Sequence, residues 1–598
     1  MATALEGAFQ ALQAGQLAAA ESTCRSLIAA GAADAKPWQL LGIVLHRGGR
    51  LDEAETALAR AVALAPRSAE IRTNRALLMS ARGQSEQALA ELERALTLEP
   101  RLRAARLALS RLCNESRKYA AAAVHARKLI AANEKDSEAW SALGTALFGT
   151  RRNAEARQAF ERAAALSPDY GAARYNLATV LCEEERAEEA LAQANAARRL
   201  GVDHRELSLT RAKALIQLDR FDEAEKELLA TLAPRPDDVD CQFLLAQLRH
   251  IRGDSDFARG FREAAQQTGA ALYLRAAHAA TLQQGGDLAG AERLLRELLQ
   301  ESGSDPRVLT PLGLLLQEQG RPAEAAGFAR VAAAVRPDDA GAAENLVSAL
   351  LSMGEARETL PIIERFRTAW PHDLRWVTYR ADAARQLNEG LFGEWCDVEH
   401  LVRVYDLEPP AGFHSIDEFH AALRPELESR HRQASHPLHQ SMRNGTQSSR
   451  GLLADSSPAV AAFLKAVEAP IAAYQRDVGR DPAHPLLGRN AGPARLIGCW
   501  SVRLRRSGFH VNHIHPRGWL SSAYYVSVPA EAADPGLRGG WIKFGEPRFA
   551  APHATPRRFV QPKPGRLVLF PSYLWHGTVP LRDDETRLTV AFDAVPAP

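Results

Sequence analysis

The chain has 598 residues, more than a single hydrophobic core organises, so at least two domains are expected. Apolar residues make up 46% and charged residues 24%, which is ordinary for a globular protein. The net charge of only +2 provides no overall basic field, so we predict no nucleic-acid partner.

Two further features bear on the cellular location. The N-terminal residues lack a basic segment followed by a long apolar core, and no run of eighteen apolar residues occurs. We therefore expect a cytoplasmic protein with no membrane contact. The six cysteines are widely spaced without a Cys-x-x-Cys pair, which predicts reduced, mostly buried thiols instead of a disulfide framework.

The first part of the chain repeats with a period of 34 residues. Alanines keep this spacing from Ala20 to Ala258, and a second series of small residues keeps it from Gly42 to Ala280. Small residues let neighbouring helices pack closely, because a large side chain would push the backbones apart. The period therefore predicts stacked helix–turn–helix units over residues 1–390.

These units resemble the tetratricopeptide repeat. Trp38, Leu41, Gly42, Ala54 and Pro66 follow its pattern, and the unit that contains Trp140 and Pro168 follows it again. The resemblance covers roughly residues 5–385, about eleven helix pairs. It implies an all-α solenoid whose concave groove binds a peptide or protein, with a spacer or dimerisation role as the alternative.

The composition changes after about residue 390, where twelve of the eighteen histidines lie. We predict a helical linker at 391–435 that includes a turn at 403–412, and a polar rim loop at 436–453. Short strands separated by Pro and Gly then predict a jelly-roll, or double-stranded β-helix, within residues 436–598. The predicted strands are 495–505, 521–528, 540–544, 566–570 and 586–593.

Three histidines in this region could form a metal site. On a strand, His513 and His515 would point to the same face because side chains alternate, and His576 follows at a strand–turn boundary. Three such ligands leave open metal positions, as in non-haem iron oxygenases, although Zn²⁺ with a bound water is a competing choice. His510 has the opposite parity to His513 and is expected either at the rim or beside a metal ligand without binding the metal.

The C-terminal region contains the segments HIHPRGWLSSAYYV, GWIKFGEP, PKPGRLVLFPSYLWHGTVP and RLTVAFD. These segments resemble the 2-oxoglutarate/Fe(II)-dependent oxygenases, and among them the branch that is often fused to tetratricopeptide repeats. The resemblance covers roughly residues 430–596. It implies that His513 and His576 bind Fe(II) and that O2 and 2-oxoglutarate are cosubstrates. It also implies that Arg587 binds the far carboxylate of 2-oxoglutarate, with Thr589 and Tyr525 as further contacts.

The sequence departs from this family at His515, where the wider superfamily has Asp or Glu. A neutral imidazole there leaves the full charge of Fe(II) uncompensated by its protein ligands. We predict a three-histidine site. The alternative places His515 outside the metal's ligands, with water, Glu546 or Asp593 completing the set.

The function predicted from these features is a 2-oxoglutarate/Fe(II)-dependent dioxygenase that hydroxylates a protein or peptide. The repeat array would recruit this substrate and raise its local concentration. The main alternative is a non-catalytic repeat scaffold with an inactive barrel. A glycosyltransferase or sulfotransferase is disfavoured because the sequence has no glycine-rich phosphate-binding loop.

Overall fold

A computed structural model describes residues 2–31, 34–267, 271–438, 440–552 and 554–596, so two of the histidines, at positions 439 and 553, lie outside it. The chain forms two compact units, Met1–Arg211 and Ala212–Pro598. The domain boundaries predicted from the sequence, after residues 390 and 435, stay predictions. No helix in the described ranges is long and apolar enough to cross a membrane. All six cysteines are buried, and the structure shows no disulfide among them.

The first unit consists of helices that contact each other pairwise, with the first helices of successive pairs also in contact. These helices are α1 (Ala2–Gln13), α2 (Leu17–Ala29), α3 (Ala35–Arg47), α4 (Leu51–Leu64), α5 (Ala69–Ala81), α6 (Ser85–Leu98), α7 (Arg103–Glu115), α8 (Tyr119–Ala132), α9 (Ser137–Gly149), α10 (Asn153–Leu166), α11 (Gly171–Glu183) and α12 (Ala187–Arg199). The division between the units falls within α13 (Arg205–Gln217).

The repeated glycine explains how the paired helices approach. A Cβ atom on Gly42 would lie 2.5 Å from Cγ of Leu58, and one on Gly144 would lie 2.6 Å from the ring of Phe160. Distances this short would force the helices apart, so the small residue at this register position is a packing requirement. The repeat predicted from the 34-residue period is confirmed.

The second unit continues with helices of the same kind. They are α14 (Phe221–Leu232), α15 (Val239–Ile251), α16 (Arg259–Gln267), α17 (Leu272–Gln284), α18 (Leu288–Ser302), α19 (Pro306–Glu318), α20 (Pro322–Val335), α21 (Ala340–Ser352), α22 (Ala356–Ala369) and α23 (Leu374–Gln386). In the described part of the chain, helices α1–α23 precede the shorter helices and the strands of the C-terminal region. Five helices follow: α24 (Leu391–Trp395), α25 (Val398–Leu401), α26 (Ile416–Glu428), α27 (Pro458–Ala466) and α28 (Glu468–Val478).

Among the described residues, nine strands form two antiparallel sheets in the C-terminal part of this unit. The strands are β1 (Arg403–Asp406), β2 (Met442–Gln447), β3 (Ala494–His510), β4 (Leu520–Ser527), β5 (Ile542–Phe544), β6 (Arg558–Val560), β7 (Arg566–Pro571), β8 (His576–Thr578) and β9 (Arg587–Pro596). The larger sheet has the order β1-β7-β4-β9-β3-β2, and the smaller one has the order β6-β5-β8. The predicted fold class, a helical solenoid followed by a jelly-roll domain, is confirmed.

Three local predictions differ from the structure. The segment expected to be a helical linker with a turn at 403–412 contributes β1, which pairs with β7, and the polar loop 436–453 contains β2, which pairs with β3. Both strands are short and lack clear alternation, so they depend on distant partners for their hydrogen bonds. The third difference is that β3 ends at His510, so His513 and His515 lie beyond the strand.

Helices α26–α28 cover one face of the larger sheet. Phe463 of α27 packs against Tyr524 of β4 and Phe592 of β9, and all three are buried in one hydrophobic cluster. Because side chains alternate along a strand, Tyr525 of β4 and Arg587 of β9 lie on the opposite face of the sheet and line a cavity. The apolar core thus fixes which strand residues can reach the site.

Candidate metal and cosubstrate site

Backbone hydrogen bonds bring two of the predicted histidines side by side. His513 N donates to His576 O at 2.9 Å, and His576 N donates to His513 O at 3.1 Å. Their ring centroids are 4.2 Å apart. His515 is held by its own N–H, which donates to Ser572 O at 2.8 Å, and its ring lies 5.2 Å from that of His513 and 5.1 Å from that of His576. One ring nitrogen from each histidine lies within 4.8 Å of the others, so the three could hold one metal ion.

The hydrogen bonds of these rings assign their tautomers. His513 Nδ1 lies 2.9 Å from Val511 O, and His576 Nδ1 lies 2.9 Å from Leu574 O. A carbonyl oxygen only accepts hydrogen bonds, so each Nδ1 carries the proton and each Nε2 keeps its lone pair. His515 Nδ1 lies 2.7 and 2.8 Å from the two carboxylate oxygens of Asp593 and therefore also donates. All three Nε2 atoms are free to bind a metal, and the Nδ1 partners are of the kind that orients metal-bound histidines.

The electrostatic environment keeps two of the rings neutral. Burial lowers the pKa of His513 to about 3 and holds the pKa of His576 well below its usual value. Burial also acts on His515, but the charge of Asp593 and its hydrogen bond outweigh it and raise the pKa of that ring. Neutral imidazole is the form that binds metal ions.

The acids considered as alternative ligands have other partners. Glu546 accepts a hydrogen bond from Asn512 Nδ2 at 2.9 Å and forms an ion pair with Lys543. Asp593 accepts from Ser521 Oγ at 2.6 Å in addition to His515. Water remains open as a further ligand. The geometry thus favours the three-histidine set over a site completed by either acid.

His510 lies beside the set and is not part of it. Its ring stacks on that of His513 with the centroids 5.7 Å apart, and its Nδ1 lies 3.0 Å from Ser441 Oγ. The residue lines the same cavity, as a rim position would.

Arg587 and Tyr525 form the other half of the site. Their side chains are almost completely buried, with 3% and 1% of their surface exposed. Arg587 Nη1 donates to Gly540 O at 2.6 Å, and its guanidinium carbon lies 5.7 Å from the centroid of the Tyr525 ring. Within the described ranges, Arg587 Nε and the Tyr525 hydroxyl have no hydrogen-bond partner.

This half of the site fits the far carboxylate of 2-oxoglutarate. Burial lowers the pKa of Arg587, and in the described structure no carboxylate forms an ion pair with it. An uncompensated buried cation costs several kcal/mol, and an anion with two oxygens would offset that cost. Thr589 faces the same side of β9, where its hydroxyl lies 3.4 Å from Val502 O and can contact the same anion.

Both halves open into one cavity of about 1390 Å³. It contains the three histidines, Arg587, Tyr525 and Thr589, which the sequence analysis had selected from separate segments. Side chains from α17, α19 and α21 form part of its wall. The structure therefore places every predicted site residue around a single space.

Helix α23 holds the loops that carry the three histidines, and sequence reasoning missed this support. Thr378 Oγ1 donates to Tyr573 O at 2.8 Å, and Trp575 Nε1 donates to Asp382 Oδ2 at 2.7 Å, directly before His576. The N–H of Leu374 donates to Pro516 O at 3.2 Å. No local pattern signals these contacts. The hydrogen bond from His515 to Asp593 was also missed. Asp593 and Arg587 are both at odd positions of β9, which indicated that they lie on the same face.

Comparison with known proteins agrees with this arrangement. Residues 498–593 match a family model described as "Putative 2OG-Fe(II) oxygenase". Residues 10–69, 137–170 and 209–272 match models of the tetratricopeptide repeat. The helical part therefore contains tetratricopeptide repeats, and the C-terminal domain is similar to the family described as 2OG-Fe(II) oxygenases.

Solved structures with detectable similarity include several repeat proteins. Yeast Tom70 is 15% identical with a TM-score of 0.39, over 64% of this chain and 96% of that one. A tetratricopeptide repeat protein from Parabacteroides merdae is 19% identical with a TM-score of 0.35, over 42% and 98%. PilF of Pseudomonas aeruginosa is 20% identical with a TM-score of 0.30, over 34% and 93%. A search of curated proteins gave no match.

Proposed function

We propose that the protein is an Fe(II)- and 2-oxoglutarate-dependent dioxygenase that hydroxylates a protein or peptide held between the repeats and the barrel. The observation that carries this proposal is a buried arginine without an anionic partner in the same cavity as three Nε2 atoms. A zinc hydrolase site has no need of that arginine, whereas a dicarboxylate cosubstrate does.

The chain's own residues have separate tasks in this reaction. His513, His515 and His576 would hold the metal, leaving its remaining positions to ligands from the cavity. Asp593 fixes the ring of His515 and places one negative charge a hydrogen bond away from that ring. Arg587 would hold the far carboxylate of 2-oxoglutarate, with Tyr525 and Thr589 contributing hydroxyl groups. Burial of this end of the cavity excludes water.

Bound Fe(II) would supply the activation of O2 and the oxidative decarboxylation of 2-oxoglutarate to succinate and CO2. One oxygen atom of O2 enters succinate and the other enters the substrate, where a C–H bond is replaced by C–OH. Reduction of O2 takes four electrons: two come from the oxidative decarboxylation of 2-oxoglutarate and two from the C–H bond of the substrate, so no further reductant is required.

The test is to reconstitute the full chain with Fe(II) and measure succinate formation from 2-oxoglutarate and O2. We expect about one Fe(II) per chain and succinate formation even without substrate, and no turnover when Zn²⁺ replaces Fe(II). Full iron loading without any succinate, alone or with lysate peptides added, would support the non-catalytic scaffold instead.

A further inference from the structure

Part of the cavity wall comes from the repeats. The helices α17, α19 and α21 are the first helices of successive pairs, and they contact one another side by side. Their side chains line the cavity from Ala280 to Asn345. At about 1390 Å³ the space exceeds the roughly 300–1,000 Å³ of pockets for drug-sized ligands, so it has room for a chain segment beside the cosubstrate.

Two buried polar atoms on this wall lack a partner among the described residues. They are Gln284 Oε1 at the end of α17 and Thr310 Oγ1 on α19. Neighbouring polar groups are satisfied: Gln283 Nε2 donates to Glu318 at 3.0 Å, and Asn345 Nδ2 donates to Thr310 O at 2.7 Å. An unpartnered buried polar atom costs free energy. Both residues line the cavity, and a peptide backbone offers N–H donors and carbonyl acceptors that could satisfy these atoms once their side chains rotate toward it.

The barrel contributes two arginines, Arg443 and Arg517, to the lining of the cavity. Arg443 is half buried, and its Nη1 donates to Gln440 O and Met442 O at 2.8 and 2.9 Å. Arg517 lines the same cavity and is exposed. In the described parts of the chain, neither arginine forms an ion pair with a carboxylate.

The acidic residues of the repeat wall are already engaged. Glu344 pairs with Arg375 at 2.9 Å and accepts from the Tyr379 hydroxyl at 3.0 Å. Glu318 accepts from Gln283 and lies 3.6 Å from Arg548. The charge left over in the cavity is therefore positive, which favours an anionic ligand.

We propose that the ligand of this cavity is an extended acidic peptide. Its backbone lies on Gln284 and Thr310, its carboxylates face Arg443 and Arg517, and one residue reaches toward the three histidines. Hydroxylation of that residue rests on the proposed function. Binding of the peptide does not.

The experiment measures binding to the full chain in the presence of a chelator, so that its outcome is independent of turnover. The probes are fluorescein-labelled dodecapeptide pools with glutamate at alternate positions, and matched pools with glutamine or lysine there. We expect the glutamate pool to bind at least about tenfold more tightly than the glutamine pool. We also expect this preference to shrink at ~0.5 M salt, where charge interactions are screened.

Variants locate the binding site. The double variant Arg443→Gln/Arg517→Gln should lose the preference for glutamate, and Arg443→Glu/Arg517→Glu should shift it to the lysine pool. Arg357→Gln, at an exposed position on α22 that does not line the cavity, is the matched control and should keep the preference. A gain of lysine binding cannot come from misfolding, so the charge reversal keeps the test decisive.

Thr310→Val separates a binding role from a structural one. The valine replaces an unpartnered hydroxyl with a methyl group of similar size, so we expect an unchanged or higher melting temperature together with weaker binding of the glutamate pool.

Three results would overturn the proposal: equal binding of the three pools, wild-type preference in the double variant, or tighter binding of a single-stranded oligonucleotide than of the acidic pool. Loss of succinate formation with glutamate-selective binding intact would instead count against the proposed function alone.

Discussion

The two halves of the site differ in how completely the chain builds them. On the metal side, each of the three histidines has its Nδ1 bonded to a fixed oxygen, so the rings are held before any ion arrives. On the cosubstrate side, Arg587 and Tyr525 are almost completely buried, yet Arg587 Nε and the Tyr525 hydroxyl have no partner in the described structure. The hydrogen bonds of the histidines are therefore satisfied without a ligand, whereas those of Arg587 and Tyr525 are satisfied only when a ligand binds.

The difference predicts opposite responses to mutation. Changes on the metal side remove satisfied hydrogen bonds, so they should lower the affinity for the metal and leave the histidine rings less well ordered. Changes on the cosubstrate side remove an unsatisfied buried charge, so they lower ligand affinity while relieving the protein of a cost.

The largest effect is expected for His576→Ala. This change removes one of three metal ligands, so we expect loss of stoichiometric Fe(II) binding and of 2-oxoglutarate-dependent succinate formation. Metal analysis and a succinate assay on the same preparation would show it. His372→Ala, at an exposed histidine before α23, is the control and should behave as wild type.

Arg587→Met should separate the two halves. We expect retained metal binding, a loss of 2-oxoglutarate affinity of at least about 100-fold, and an unchanged or higher melting temperature of the metal-free protein. Titration calorimetry and thermal unfolding would measure these quantities, with Arg357→Met as control. A lower melting temperature with intact 2-oxoglutarate binding would contradict the assignment of Arg587 as an unsatisfied carboxylate-binding group.

Asp593→Asn should act on the metal side alone. The amide keeps the shape of the side chain but loses the charge that orients His515, so Fe(II) affinity should fall by about 10–100-fold. The affinity of the metal-saturated protein for 2-oxoglutarate should stay close to wild type. Competition with a chelator would measure the first quantity, and the exposed Asp584→Asn is the control. Unchanged Fe(II) affinity would mean that the contact with His515 has no role in metal binding.

The smallest effect concerns the support of the metal side by α23. Burial raises the pKa of Asp382 from 3.8 to about 7. The unfolded chain loses this proton near pH 4 while the folded protein keeps it to about pH 7, so this residue makes stability fall as pH rises through that window. Asp382→Asn removes the titrating group and keeps an acceptor for Trp575. The melting temperature of the variant minus that of wild type should therefore increase by a few °C from about pH 4 to about pH 7 and stay constant at higher pH. A difference independent of pH would contradict the raised pKa.

Sequence reasoning was strongest where structure is local and periodic. The 34-residue spacing from Ala20 to Ala258 predicted the helix pairs because each unit repeats the same packing problem. In β9, Arg587 and Thr589 alternate with the apolar residues Leu588 and Val590. This alternation was sufficient to place Arg587 in the cavity.

It was weakest where a side chain depends on a distant partner. Asp593 meets His515 across 78 residues, and the sequence offered it only as an alternative metal ligand. The strands β1 and β2 are held by pairing with β7 and β3, so their own residues carry little signal. Nothing in the repeat pattern indicates that Gln284 and Thr310 would line the cavity of the barrel.

The most direct test of the account is titration of 2-oxoglutarate into the full chain loaded with Mn²⁺, which occupies the site without turnover. We predict one 2-oxoglutarate per chain for wild type, and loss of this binding in both His576→Ala and Arg587→Met. Wild-type affinity in Arg587→Met, or no binding by the metal-loaded wild type, would contradict the claim that the histidines and the arginine serve one ligand in one cavity.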